Sequence, residues 1–293
     1  MREGIFMDEM TEVRRIFVNK NSYLDYEFGS YGKLYHHTNE NLNAYIPNTF
    51  NKRVLTVSSS GDHLLNILSN GSFRVDTFDI NRFSPLYQSM KLYSIRNLPS
   101  NDAYIFLNTL SSELYFKFNK FLPKREKEFF NFVYSHDMDE IAYKLFYLQN
   151  INNIVNNKYF DLDVLEYLKN NLRRLVGNHF CTNIYGLSDF IIDKYDYIFL
   201  SNISEYIKNV DDFLHFLIYL KLCLNNNGAI YYAYLYEKEA TSVIDGIKSI
   251  NKNFEQKFDP KRYYDIIDST EIMSFKSAEF PETSKDSVLI LRK

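Results

Sequence analysis

Four short stretches of the chain carry side chains that could do chemistry together. The first is Ser58-Ser59-Ser60-Gly61-Asp62, where small residues let the backbone approach a ligand and the N–H groups opening a following helix can point at it. The second is Asp79-Ile80-Asn81, which begins eighteen residues after Gly61. A carboxylate at the end of a strand can accept both hydroxyls of a ribose there. The third is Asn183, and the fourth is Ser201-Asn202 with Ser204, Glu205 and Tyr206 just beyond. Glu205 and Tyr206 are the acid/base candidates, although each is also an ordinary helix-start or packing residue.

The ligand implied by the first two stretches contains a ribose. The dinucleotide pattern G-x-G-x-x-G is absent, a single glycine stands in the turn, and Asp62 adds a carboxylate at the helix start. That chemistry suits S-adenosyl-L-methionine, which has a ribose and a cationic sulfonium but no phosphate, better than a pyrophosphate.

Local patterning supplies the elements that must position these residues. Val54-Leu55-Thr56-Val57 reads as a strand, Leu64, Leu65, Ile67 and Leu68 recur at helical spacing, and Val75 to Ile80 is a second strand after the Asn70-Gly71 turn. This βαβ unit is the nucleotide-binding half of a doubly wound sheet. Ser84-Pro85 starts the next helix, and Asn81 and Arg82 either contact adenine or ribose or merely turn the chain.

VLTVSSSGDHLLNIL followed by VDTFDINRFSPLYQSMKLYSI resembles the core of class I S-adenosylmethionine-dependent transferases over residues 50 to 98. More narrowly it resembles the enzymes that move 3-amino-3-carboxypropyl to diacylglycerol in betaine-lipid synthesis, whose turn is also Ser-rich with one Gly and whose second strand ends in Asp-Ile-Asn. The resemblance implies an α/β, Rossmann-like doubly wound sheet with an antiparallel last strand. It also implies that Asn183, about twelve residues before Tyr195, stands against the adenine amino group. The commoner methyltransferase turn, G-x-G-x-G, is missing, so the resemblance leaves the transferred group open between methyl and aminocarboxypropyl.

The rest of the chain is assigned around that core. Residues 8 to 19 form a short amphipathic helix, and the polar run His36 to Asn41 is a lid over the cofactor or a solvated loop capping a helix through Leu42 and Tyr45. His36 and His37 have no cluster of ligands at metal spacing beside them, so no metal site is expected. From 100 to 176 the periodicity predicts four or five helices and no strand, a large helical insertion between strands two and three that caps the acceptor pocket. Within it, Asp137 is read as a helix cap. Strands three (His179–Ile184), four (Tyr197–Leu200) and five (229–236) follow, with helices at 213–224 and 237–250 and a terminal hairpin built from EIMSFKSAEF and SVLILRK. The division expected is 1–50 as N-terminal helical and lid segment, 51–99 with 177–293 as the S-adenosylmethionine-binding domain, and 100–176 as the cap.

Composition narrows the classes. At 293 residues and 45% hydrophobic the chain buries a sizeable core. A net charge of −3 gives no global field for nucleic acid or an anionic membrane, so a small molecule or a lipid is favoured as acceptor over nucleic acid. Oligomeric state is not readable. Cys181 and Cys223 sit among apolar neighbours and are expected as reduced core residues. No signal peptide or transmembrane segment is apparent, the longest apolar run, Phe213 to Leu224, being interrupted by His215 and Lys221, and a cytoplasmic location is expected. The expected function is S-adenosylmethionine-dependent transfer, methyl by default. An NAD-dependent oxidoreductase and a catalytically silent nucleotide-binding or interaction protein are the other readings.

Overall fold

A computed structural model describes residues 8–18, 30–147, 157–191, 193–207, 209–250 and 259–293, and for 147, 173–175 and 205 the backbone alone. In chain order the elements are α1 (Glu9–Val18), β1 (Leu34–Tyr35), α2 (Leu42–Tyr45), β2 (Arg53–Val57), α3 (Asp62–Ser69), β3 (Arg74–Asp79) and α4 (Ser84–Asn97). There follow α5 (Ser100–Thr109), α6 (Ser112–Phe118), α7 (Lys124–Val133), α8 (Met138–Leu145), β4 (Phe146–Tyr147), α9 (Leu162–Leu175) and β5 (Val176–Cys181). The chain closes with β6 (Tyr195–Phe199), α10 (Val210–Leu222), β7 (Leu224–Leu235), α11 (Val243–Ser249), α12 (Tyr264–Asp268), β8 (Thr270–Lys276) and β9 (Lys285–Arg292).

Seven strands form one sheet in the order β5-β3-β2-β6-β7-β9-β8. Counted along the chain, that is 3-2-1-4-5-7-6. The pairs from β5 to β7 are parallel, and β9 runs antiparallel between β7 and β8. This is the Rossmann-like, doubly wound sheet of class I methyltransferase type with its antiparallel last strand. The order reverses between β2 and β6, so the crevice for a ligand lies at their carboxyl ends.

Local chemistry explains the elements that frame this crevice. β2 is RVLTV, and its last four residues are buried on both faces, as a central parallel strand requires. Gly61 precedes α3 with φ +82°, a conformation open to glycine at no steric cost. Every residue of α3 from Asp62 to Leu68 is buried, so this helix is sandwiched, not half exposed. Pro85 stands in the first turn of α4, and the side chains of Asp137, Asp161 and Asn209 cap α8, α9 and α10.

One face of the sheet packs Leu55, Ile198, Ile230 and Leu291 against α10, and the other packs Val54, Tyr231 and Ile290 against α3 and α9. A third core joins α1 and α4 to α5, α6, α7 and α8 through Phe83, Met90, Phe106, Phe118 and Phe129. Between β3 and β5, therefore, α5, α6 and α7 pack on α4, and α9 packs on α3, α4 and α5 and reaches the sheet at β3.

Several expectations shift. β5 starts at Val176 and ends at Cys181, so Asn183 lies beyond the strand, and β7 starts at Leu224, with 225–228 bulging out between the pairs Tyr195–Leu224 and Tyr197–Ala229. Residues 237–242 are not helical, and α11 is confined to Val243–Ser249. The two cysteines are free but not core: Cys181 is exposed and Cys223 partly so. Cys181 ends an edge strand with no further strand beside it among the described residues, and apolar residues adjacent in sequence do not bury it. The polar run from His36 is no solvated loop, for His36, His37, Thr38 and Glu40 are all buried.

Candidate functional site

A cavity of about 560 Å³ opens at the carboxyl ends of β2, β3, β5 and β6. Its walls come from four places: Gly32–Tyr35 from the N-terminal segment, Asp79-Ile80-Asn81 after β3, Thr182–Tyr185 after β5, and Leu200–Ile203 with Tyr206 after β6. Val57, Ser59 and Ser84, and Ile207 with Asn209 and Asp212, also line it.

Asp79 is the carboxylate of this cavity. Its Oδ2 accepts from the Ser59 N–H at 2.8 Å and its Oδ1 from the Asn81 N–H at 2.9 Å. Ser84 on the cavity wall and the Ile80 N–H also hydrogen-bond to this carboxylate, so its acceptor positions are largely engaged by the chain itself. Burial raises its carboxyl above the ordinary value, and the hydrogen bonds from Asn81, Ser84 and Ser59 oppose that rise. Ile80 beside it is 45% exposed, a bare aliphatic face on the cavity wall. The Asn81 side chain donates to the Gly32 carbonyl at 2.8 Å and so ties the N-terminal segment to the end of β3.

Two wall residues hold left-handed backbone without being glycine: Ser59 at φ +43° and Ser201 at φ +55°. Such conformations cost about 1–3 kcal/mol each and collect at ligand sites. One lies at the end of β2 and the other at the end of β6, on either side of the reversal in strand order.

The remaining turn residues are not on the cavity wall. Ser58 is fully buried and its hydroxyl donates to Gln88 Oε1 at 2.7 Å. The Ser60 hydroxyl accepts from the Asp62 N–H at 3.4 Å. A Cβ on Gly61 would face Gln88 and Lys91 of α4 at 3.6–3.7 Å, so this glycine serves the backbone turn and not a close approach of ligand. Asp62 is fully buried and accepts from Lys91 Nζ at 2.7 Å, the Tyr159 hydroxyl at 2.6 Å and the Thr38 N–H at 2.6 Å. The carboxylate expected at the ligand is instead the anchor of a buried network, with the Lys91 charge holding it well below the usual carboxylate range against the cost of burial.

That network explains the polar run. The Lys91 ammonium also donates to the His36 carbonyl at 2.9 Å, and the Tyr87 hydroxyl donates to the same carbonyl at 3.1 Å. Glu40 accepts from the Tyr45 hydroxyl at 2.5 Å, lies 3.1 Å from His63 Nε2, and accepts from the Ser201 hydroxyl. Farther on, the Tyr236 hydroxyl donates to Asn39 Oδ1 at 2.7 Å, and the Asn41 N–H donates to the Tyr234 hydroxyl at 2.9 Å. Residues 32–41 are thus a strap across the carboxyl edge of the sheet, pinned from β3 to β7.

Of the residues singled out in the sequence, the cavity gathers Ser59, Asp79, Ile80, Asn81, Asn183, Ser201, Asn202 and Tyr206. Ser58, Ser60, Gly61 and Asp62 stand behind its wall. Glu205 falls in the turn Ile203–Tyr206, and its side chain lies outside the described residues. Sequence reasoning missed Gly32–Tyr35, Thr182 and Tyr185, whose place follows from the strap and from the turn after an edge strand. Among the described residues no group of three potential metal ligands occurs, and no helix is long and apolar enough to cross a membrane.

No protein family and no curated protein sequence matches the chain. Among solved structures it is similar to an rRNA methylase from Streptococcus thermophilus, at 8% identity over 84% of this chain and 89% of that one, with a TM-score of 0.35. It is similar to phosphoethanolamine N-methyltransferase 1 of Haemonchus contortus, solved with phosphoethanolamine and S-adenosylhomocysteine, at 8% identity over 86% of this chain and 42% of that one, TM-score 0.40. A third is precorrin 8w decarboxylase of Methanobacterium thermoautotrophicum, at 9% identity over 85% and 86%, TM-score 0.35. The class of fold rests on the strand order and the antiparallel β9, not on these likenesses.

Proposed function

We propose that the protein is an S-adenosylmethionine-dependent transferase that moves a methyl group to a small-molecule or lipid acceptor. The observation that carries this reading is Asp79: a carboxylate on a mostly apolar cavity wall at the reversal of strand order, where the hydroxyls of a ribose can compete with Ser84 as donors to it. The cavity volume is within the range of small-molecule sites. Ile80 and Ile184 offer apolar surface to a base, and Asn183 offers a polar group at the same end. Ser59, Ser201 and Asn202 surround the other end.

When bound, S-adenosylmethionine supplies a sulfonium whose attached carbons are electrophilic. The chain's own residues orient: Asp79 fixes the ribose, Ser59 and Ser201 with Asn202 place the tail, and Tyr206 on the wall is the acid/base candidate, with Glu205 beside it in sequence.

The aminocarboxypropyl alternative rests on the Ser-rich turn. Of its side chains only Ser59 reaches the cavity, which supports methyl as the default. Incubation with candidate acceptors tests the choice: S-adenosylhomocysteine as by-product is the expected result, and methylthioadenosine alone, above its spontaneous background, would reverse it.

A further inference from the structure

Glu40 touches no part of the cavity, yet it determines what one wall residue can offer. Its carboxylate is 1% exposed and sits behind Ser201, whose hydroxyl is the wall group. The Tyr45 hydroxyl donates to Glu40 Oε2, His63 Nε2 lies at the same oxygen, and the Ser201 hydroxyl donates to Oε1. Coulombic attraction from His63 and hydrogen bonds from His63, Ser201 and Tyr45 hold the Glu40 carboxyl below its ordinary value despite burial.

A serine hydroxyl has one proton and two acceptor positions. With a buried carboxylate as neighbour, that proton goes to the carboxylate, because charge-assisted hydrogen bonds are roughly twice as strong as neutral ones. The other acceptor in reach, Asn202 Oδ1 at 3.3 Å, is neutral and more distant. Either way the proton stays within the protein, and the cavity sees the hydroxyl's lone pairs. Among the described lining residues, Asp79 and Asp212 add negative charge and Lys33 alone opposes it.

We infer that Glu40 is a positioning residue which makes Ser201 an acceptor-only group, so that the cavity holds a protonated amine at Ser201. This rests on the reading under Proposed function and sharpens it. The amine belongs to the methionine tail or to the acceptor, and the chemistry is the same.

The test uses the full chain and calorimetry with two adenosyl probes: 5′-methylthioadenosine, without an aliphatic amine, and S-(3-aminopropyl)-5′-thioadenosine, which carries one. A third arm adds propylammonium to the protein saturated with methylthioadenosine. Glu40→Gln can donate an amide N–H to the Ser201 oxygen and free its hydroxyl proton toward the cavity. The expected result is about a tenfold loss for the aminopropyl probe (tail amine) or for propylammonium (acceptor amine), with methylthioadenosine unchanged. Ser201→Ala should lose as much, and the double variant no more, since Glu40 acts only through Ser201. Ser201→Ala leaves Glu40 its contacts with Tyr45 and His63 and carries the test if Glu40→Gln fails to fold. Equal losses for all probes, or losses that multiply in the double variant, would overturn the inference as a mere packing effect. A wild-type protein that binds neither adenosyl probe removes the adenosyl reading itself, and this inference with it.

Discussion

Asp79 does two jobs with one carboxylate, holding the Ser59 and Asn81 N–H groups and facing the cavity. Since a hydrogen bond to a charged group contributes about 1.5–3 kcal/mol, Asp79→Ala should weaken S-adenosylhomocysteine binding roughly ten- to a hundredfold by calorimetry. Unchanged affinity would take Asp79 out of the site. Asp62 is predicted to behave differently, because it faces Lys91 and Tyr159 and not the cavity. Asp62→Asn leaves a buried ammonium without its counter-ion and should cost about 3–5 kcal/mol at pH 7 by urea unfolding. Asp62 and Glu40 are both held below their ordinary values of 3.8 and 4.5, so the unfolded chain takes up protons first as the pH falls. Their stabilisation is complete above about pH 5 and is lost as the pH drops through their lower folded values. Unfolding midpoints measured from pH 7 to pH 3 should fall steeply for the wild type and less for Asp62→Asn, and parallel curves would contradict this. Gly61→Ala meets only ordinary contacts but keeps φ +82°, so a loss of about 1–2 kcal/mol is expected.

At the scale of elements, what could be read from the chain depended on how local its cause was. The βαβ unit from Arg53 to Asp79 was legible because β-branched runs, a glycine turn and helical spacing are local signals. The terminal hairpin was legible for the same reason. The strap was not: His36 to Asn41 is polar in sequence, and its partners Lys91, Asp62 and Ser201 are brought to it from distant positions. Asp62 was misplaced on the ligand side for that reason, and the cavity wall at Gly32–Tyr35 was missed. The helices from α5 to α8 follow their apolar stripes, but the surface they cover is α4 rather than the sheet. Deleting 100–147 would therefore strip Phe83, Leu86 and Met90 of their cover, and the product should appear in the insoluble fraction. A soluble deletion that still binds S-adenosylhomocysteine would show that these helices form a peripheral layer.

For the whole molecule, a ligand that binds only the folded state at a hundred times its Kd adds about 2.7 kcal/mol. In a chain of this size that corresponds to roughly 5 °C or more in Tm. S-adenosylhomocysteine should produce such a shift in a thermal melt and NAD should not; the opposite order would favour an oxidoreductase.

The strap joins residues far apart in translation. Asn41 meets Tyr234 across 193 positions and Asn39 meets Tyr236 across 197. On a ribosome the N-terminal segment emerges first, but two of the hydroxyls that hold it are made last. The Asn39–Asn41 end of the strap therefore cannot be locked in place until β7 has left the exit tunnel, whereas the wall at Gly32 can be tied to Asn81 long before that.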